Sequence, residues 1–225
     1  MQIKPYILLA DKKTAVYDPH RMYSQSEVYG VVFSDITGEH IRVLYPREFK
    51  EQIFLSSEVK MPWSNTYLNE VDTLFDFNGK QNTHEFEIAG SDAVKNIKEQ
   101  CGNEWFIPSL GESVAAIRCR EEIDNLLFHI DNSYRLSICS PRWTSSRYDS
   151  YYVYLYHVNH GYLYHKPFYY GLTVTPITFL PDSVQRPEIE KNEAFNPSTN
   201  EIHLSNSNEL LVEISNGNNN IKIYR

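Results

Sequence analysis

The sequence predicts an α+β fold, with helices in the middle of the chain and strands on either side of them. Three observations carry that expectation. They are a hairpin pattern between residues 29 and 46, a helical period between residues 82 and 126, and a period of two that begins after Asp131 and lasts to Pro181. At 225 residues, 41% apolar and 22% charged, the chain can bury the core of one large domain and carry an appendage.

The elements follow in order. "YILLA" (6 to 10) is a short apolar run and reads as a strand; the N-terminus has no small-residue cleavage pattern and is not read as a signal peptide. "YGVVFS" (29 to 34) runs through the turn "DITGEH" into "IRVLYP", and Gly38 is placed to take positive φ in that turn. Residues 46 to 70 carry little periodicity and read as loop with a short helix. Phe86, Ile88, Ala89, Ala93, Val94 and Ile97 then recur as one helical face, which Gly90 interrupts, and the helix ends near Cys101-Gly102. A second helix starts at "PSLGES", where Ser109 precedes Glu112 by three residues as in a reciprocal capping box, with Val114, Ile117 and Leu126 facing a core. Four period-two runs follow: "YRLSICS", "YYVYLYHV", "GYLYHK" and "GLTVTPITFL". Residues 182 to 225 are asparagine-rich but hold strand-like runs, so they read as a small β appendage.

The run from Tyr151 to Gly171 contains eight of the chain's 17 tyrosines. Alternation along a strand puts Val153 and Leu155 on one face and Tyr152, Tyr154 and Tyr156 on the other. After the turn "VNHG", Leu163 is expected on the aliphatic face and Tyr162 and Tyr164 on the aromatic one. Every buried phenol needs a hydrogen-bond partner, so the aliphatic face is expected to meet the core and the tyrosines to pave an exposed one. Such a surface resembles a paratope, where tyrosine gives contact area and a polar tip at little entropic cost. The alternative is that the face packs on the appendage or on another subunit.

Three segments together resemble a known family: "DFNGKQNTHEF" (76 to 86), "WFIPSLGESVAAI" (105 to 117) and "RWTSSRYDSYYVYLYHVNHGYLYHKPFYYGLTVTPI" (142 to 177). In order and spacing they are similar to the C-type lectin fold proteins of gut Bacteroidetes and their phages, including the variable proteins of diversity-generating retroelements. The resemblance covers about residues 29 to 180. It implies a C-type lectin-like fold in which two helices flank a twisted antiparallel sheet. The chain then divides into an N-terminal strand or arm (1–28), the lectin-like domain (29–181) and the C-terminal β appendage (182–225). The resemblance also implies that ligand contacts come from the hairpin and its borders: Arg147, Tyr148, Asp149, Tyr152, Tyr154, Tyr156, Asn159, Tyr162, Tyr164, Tyr169 and Tyr170. Three features depart from the family pattern, the first being that residues 182–225 continue past the point where many of its members stop. "TSSRYDS" is shorter than the usual loop, and Thr175 stands where the family carries an arginine.

Composition and motifs bound the function. With 21 Lys+Arg against 29 Asp+Glu, the chain's field repels nucleic acid. No stretch approaches the ~20 apolar residues of a membrane-spanning helix. The lectin tripeptides "EPN" and "QPD" and the sequence "WND" are absent, so Asp72, Asp76 and Asn78 read as a turn and helix-entry cluster, not a calcium site. His157, His160 and His165 lack a zinc-ligand spacing, and Cys101, Cys119 and Cys139 read as separate packing thiols, not the reactive cysteines of a formylglycine-generating enzyme. No cofactor or metal is expected, and an enzyme is not.

The expected function is a binding module: a phage virion fibre component, made in the host cytoplasm, that presents the tyrosine face to a host-surface protein or polysaccharide. It would assemble with other virion proteins and as a homo-oligomer, a trimer being the natural guess for a fibre. The alternative is a structural virion protein that buries the face against a neighbour.

Overall fold

The computed structural model describes residues 2–15, 18, 20–52, 55–56, 59–61, 70–130, 135–136, 141–157, 162–184, 202–204, 210–216 and 219–224. Of residues 51–52, 70, 157, 162, 172 and those beyond 184 it describes the backbone. The fold is α+β. Strands β1 (Tyr6–Leu9), β2 (Val28–Ser34), β3 (Ile41–Leu44) and β9 (Ile177–Phe179) form a four-stranded sheet in the order β1-β2-β3-β9. A second sheet has eight strands. It contains β4 (Phe49–Gln52), β5 (Arg142–Arg147), β6 (Tyr152–His157), β7 (Tyr162–Pro167), β8 (Leu172–Val174), β10 (Ile202–Leu204), β11 (Leu210–Asn216) and β12 (Asn219–Tyr224), in the order β10-β11-β12-β7-β6-β5-β8-β4. The described residues beyond 200 are the strands β10, β11 and β12, and β12 pairs parallel to β7 at Lys222–Tyr162 and Ile223–Leu163.

The helices number five among the described residues, not two. The short α1 (Glu70–Thr73) ends the segment read as loop. Gly90, at φ 85°, divides the first helical stretch into α2 (Gly79–Ile88) and α3 (Asp92–Cys101), a conformation that costs glycine little. Ser91 caps α3 by accepting from the Val94 amide (3.3 Å). The second stretch breaks at Cys119 into α4 (Leu110–Arg118) and α5 (Arg120–Phe128). Its predicted capping box is present: Ser109 and Glu112 satisfy each other's backbone amides.

Three strand expectations also change. Arg135 and Leu136, inside "YRLSICS", are not in a strand. The strand is "RWTSSR", all six residues of which are buried. "GLTVTPITFL" is two strands in different sheets, because Pro176 has no amide to continue a ladder. Phe49–Gln52 is a strand where loop was expected.

Helix α4 is buried on both sides. Ala115 and Ala116 join a cluster with Val31, Phe33 and Leu44 of the four-stranded sheet, while Leu110, Val114 and Ile117 pack on Tyr154, Tyr156 and Leu163 of the larger one. A third cluster holds Phe86, Val94 and Ile97 of α2 and α3 with Val32 and Val43 from one sheet and Trp143, Val153 and Leu155 from the other. The four-stranded sheet and the β6 region of the larger one are thus covered on both faces.

A buried polar lock holds α4 in that position. Arg42 Nε donates to Glu112 Oε1 at 2.7 Å, and Glu112 Oε2 accepts from the Ser109 amide (2.8 Å) and lies 2.9 Å from Ser109 Oγ. Burial pushes the Glu112 carboxyl up, and Arg42 and Ser109 oppose that push. Asp76 joins the lock through its carbonyl, which takes the Gly111 amide (3.1 Å), and its carboxylate, which takes Asn82 Nδ2 (2.9 Å) and Ser146 Oγ (2.5 Å). There is no room for a side chain at Gly111, where a Cβ would lie 2.5 Å from the Asp76 carbonyl oxygen. Asp76 Oδ1 also accepts from the Asn78 amide (2.9 Å), the helix-entry role expected of this cluster.

Candidate functional site

The β6–β7 pairing decides where the tyrosines go. Tyr156 lies opposite Leu163, Leu155 opposite Tyr164, and Tyr154 opposite His165. Directly opposed residues share a face, so Leu163, His165 and Pro167 sit with Tyr152, Tyr154 and Tyr156, while Tyr164 sits with Val153 and Leu155. The expected single tyrosine face is split between the two faces of the sheet. The register carries an even number of residues between His157 and Tyr162, and only an odd number would have kept Tyr162 and Tyr164 beside Tyr154.

Nor is the centre of the aromatic face exposed. Tyr154 and Tyr156 are 2% and 6% exposed, covered by α4. Tyr164 is half-buried against the core, and burial raises its phenol above the ordinary value. Arg147 is buried and spends its guanidinium on α2, with Nη2 at 2.6 Å from Glu85 Oε2. Of these four expected contact residues, Tyr154, Tyr156 and Arg147 are buried and Tyr164 is half-buried. Asn159 and the Tyr162 side chain lie outside the described residues, as do His160, Cys139 and the His157 side chain.

What stays exposed is the rim of the hairpin, where the β5–β6 and β7–β8 connections meet. Tyr148 (39% exposed), Tyr151 (41%), Tyr169 (41%) and Tyr170 (51%) all come from these two turns. Their backbones are pinned. Asp149 Oδ1 accepts from the amides of Tyr151 (2.7 Å) and Tyr152 (2.9 Å), the Tyr148 amide donates to the Tyr152 carbonyl (2.9 Å), and the Phe168 amide donates to the Tyr151 carbonyl (3.1 Å). An aspartate that caps its own turn in this way is orienting backbone.

The rings are pinned as well. Tyr148 stacks flat on His165 with centroids 4.0 Å apart, and meets buried Tyr154 edge-on at 5.6 Å; Tyr152 meets the same histidine edge-on at 5.4 Å. Tyr151 lies over fully buried Phe168, and Tyr169 and Tyr170 lean on each other at 5.5 Å. Two cations border the patch, Lys60 over Tyr151 (5.6 Å) and Lys166 over Tyr170 (5.8 Å). Tyr151, His165, Lys60 and Lys166 were not among the expected contacts. Tyr151 was legible as the residue two positions after a turn aspartate; Lys60 belongs to a distant segment and carried no signal.

The site offers stacking area, phenol tips and two ammonium groups. Among the described residues no cluster of three or more metal-ligating side chains occurs, and His165 is spent on aromatic packing. Cys101 and Cys119 belong to different cores, and burial pushes their thiols up to about 11 and about 12. No described helix is long and apolar enough to cross a membrane.

No protein-family model matches the chain, and no curated protein matches it in sequence. Among solved structures, the chain is similar to a fimbrial protein from Bacteroides ovatus, with a TM-score of 0.57 and 13% identity over 80% of this chain. The chain spans about half of that protein, 49% of its length, and the likeness is one of fold.

Proposed function

We propose that this chain is a ligand-binding module whose contact surface is the tyrosine rim, Tyr148, Tyr151, Tyr169 and Tyr170, bordered by Asp149 and Tyr152. The observation that carries this reading is that four exposed tyrosines stand on two turns that the Phe168–Tyr151 backbone hydrogen bond joins at one end of the hairpin. Rings already held by neighbours lose little freedom on binding, the property that makes tyrosine effective in paratopes. The reading needs no cofactor and no catalytic group.

We read the scaffold as C-type lectin-like. The segments "DFNGKQNTHEF" and "WFIPSLGESVAAI", which carry the resemblance, supply Asp76, Asn82, Ser109, Gly111 and Glu112 to the buried lock. Those residues make scaffold, so the tyrosine turns are the display positions on it. The ligand class is a host-surface protein or polysaccharide, and the carrier a phage virion fibre in which several copies multiply a weak site by about 10²- to 10⁴-fold. The fimbrial character of the structural neighbour favours a second carrier, a filament on a bacterial surface. An assembly role, with the rim buried against another filament or virion subunit, is the alternative use of the same surface.

Binding of labelled protein to a panel of Bacteroidetes cells tests this. The expected result is binding by the wild type and its loss in Tyr169→Ala/Tyr170→Ala at unchanged thermal stability. Binding that survives the double variant sinks the rim as the contact surface. Failure of that variant to assemble into particles or filaments, without any cell binding by the wild type, transfers the rim to the assembly role.

A further inference from the structure

A second recess shares no residue with the rim. It is a groove of about 400 Å³ between the outward flank of α2, Lys98 of α3, the connection at residues 103 to 106, and Phe179 of β9. That volume falls in the range of small-ligand sites. Its base is aromatic: Phe179 keeps 42% of its surface exposed although the Arg42 guanidinium (4.5 Å) and Lys80 Nζ (5.5 Å) both lie over its ring. Phe106 supports that ring from the side, centroids 5.2 Å apart.

The walls are polar, and their bonding capacity is unevenly spent. Glu87 is neutralised by Lys98 (2.6 Å) and approached by His84 (3.3 Å), so that carboxylate is satisfied. Lys80 has no carboxylate within ion-pair distance, and the side-chain amides of Gln81 and Asn103 donate to nothing, among the described residues. Two lysines against one carboxylate give the lining a charge of +1 with neutral histidine, in a chain of formal net charge −8. A local excess of positive charge in an acidic protein selects an anion.

From this arrangement we infer that the groove binds an acidic saccharide, a carboxylated pyranose whose C–H face lies on Phe179, whose carboxylate meets Lys80, and whose hydroxyls are bonded by Gln81 and Asn103. A neutral sugar leaves Lys80 unanswered. A fatty or purely aromatic ligand leaves the two amides and the lysine desolvated without partners, which costs affinity.

Titration calorimetry on the full chain, with trigalacturonate, its carboxyl-reduced neutral counterpart and adenosine monophosphate as probes, decides the matter. The expected result is binding of trigalacturonate, weaker at higher salt, with the reduced sugar and the nucleotide each at least about tenfold weaker. Phe179→Ala and Lys80→Gln, the latter at an exposed position that leaves the fold intact, are each expected to weaken trigalacturonate about tenfold or more. The inference is overturned by no binding of trigalacturonate, by equal binding of the reduced sugar, or by preference for the nucleotide. It is equally overturned if both groove variants bind as the wild type does, including the case in which Tyr169→Ala/Tyr170→Ala abolishes binding and so places the sugar on the rim.

Discussion

Tyr154 and Tyr169 stand in one run of sequence, yet the first is 2% exposed under α4 and the second 41% exposed on a turn. Tyr154→Ala is therefore expected to lose about 3 kcal/mol or more of stability, the cost of a large buried ring, and Tyr169→Ala to stay within about 0.5 kcal/mol of wild type. Urea denaturation of the two variants checks the pair. Glu112 tests the lock. Glu112→Ala leaves Arg42 buried without its partner and is expected to cost about 3–5 kcal/mol, whereas the joint replacement Arg42→Met/Glu112→Leu recovers much of that loss because no charge is left to desolvate. The thiols give a chemical readout. With burial holding Cys101 at about 11 and Cys119 at about 12, neither is thiolate at pH 8, so peptide-level mass spectrometry should find both unmodified by iodoacetamide until denaturant is added.

At the scale of elements, the contact between α4 and the loop before α2 is made backbone to backbone, which is why Gly111 stands there. Gly111→Ala brings a methyl to 2.5 Å from the Asp76 carbonyl oxygen, so about 1–3 kcal/mol of destabilisation is expected in the same urea assay, despite alanine's better helix propensity. The α2–α3 pair carries a pH signature. Hydrogen bonding from Lys98, then from His84, holds the Glu87 carboxyl below its ordinary 4.5. A carboxyl depressed in the folded state lends stability that is present above its unfolded pKa and lost as the pH falls through the folded one. Thermal unfolding followed from neutral pH downward should therefore decline through the region below 4.5, and Lys98→Met should flatten that limb; the effect is small because solvent reaches the pair, Glu87 being exposed and Lys98 partly so.

For the whole molecule, the strands beyond residue 200 join the rest of the chain, among the described residues, along the outer edge of β7 through β12. The three clusters of described buried side chains lie within residues 3 to 184. A chain that ends at Val184 is thus expected to keep its helical circular dichroism and a cooperative transition, while the uncovered edge of β7 promotes association that sedimentation velocity detects as a rise in mass with concentration. An unchanged monomer over the same concentrations would mean that β7 does not depend on the appendage for protection.

The sequence by itself determined the α+β class, the positive-φ turn at Gly38, the break at Gly90, and the capping box at Ser109 and Glu112. Each of these is local chemistry, readable from a few neighbouring residues. It also marked Tyr148, Asp149, Tyr169 and Tyr170, which remain at the rim because turn residues stay at the surface. The tertiary structure alone decided the fate of Tyr154, Tyr156, Tyr164 and Arg147. Period-two alternation tells the two faces of a strand apart but does not say which is covered, and here α4 covers one while the core covers the other. Hairpin parity then fixed which tyrosines share a face, and the groove beside Phe179 exists only because α2, α3 and β9, far apart along the chain, come together there.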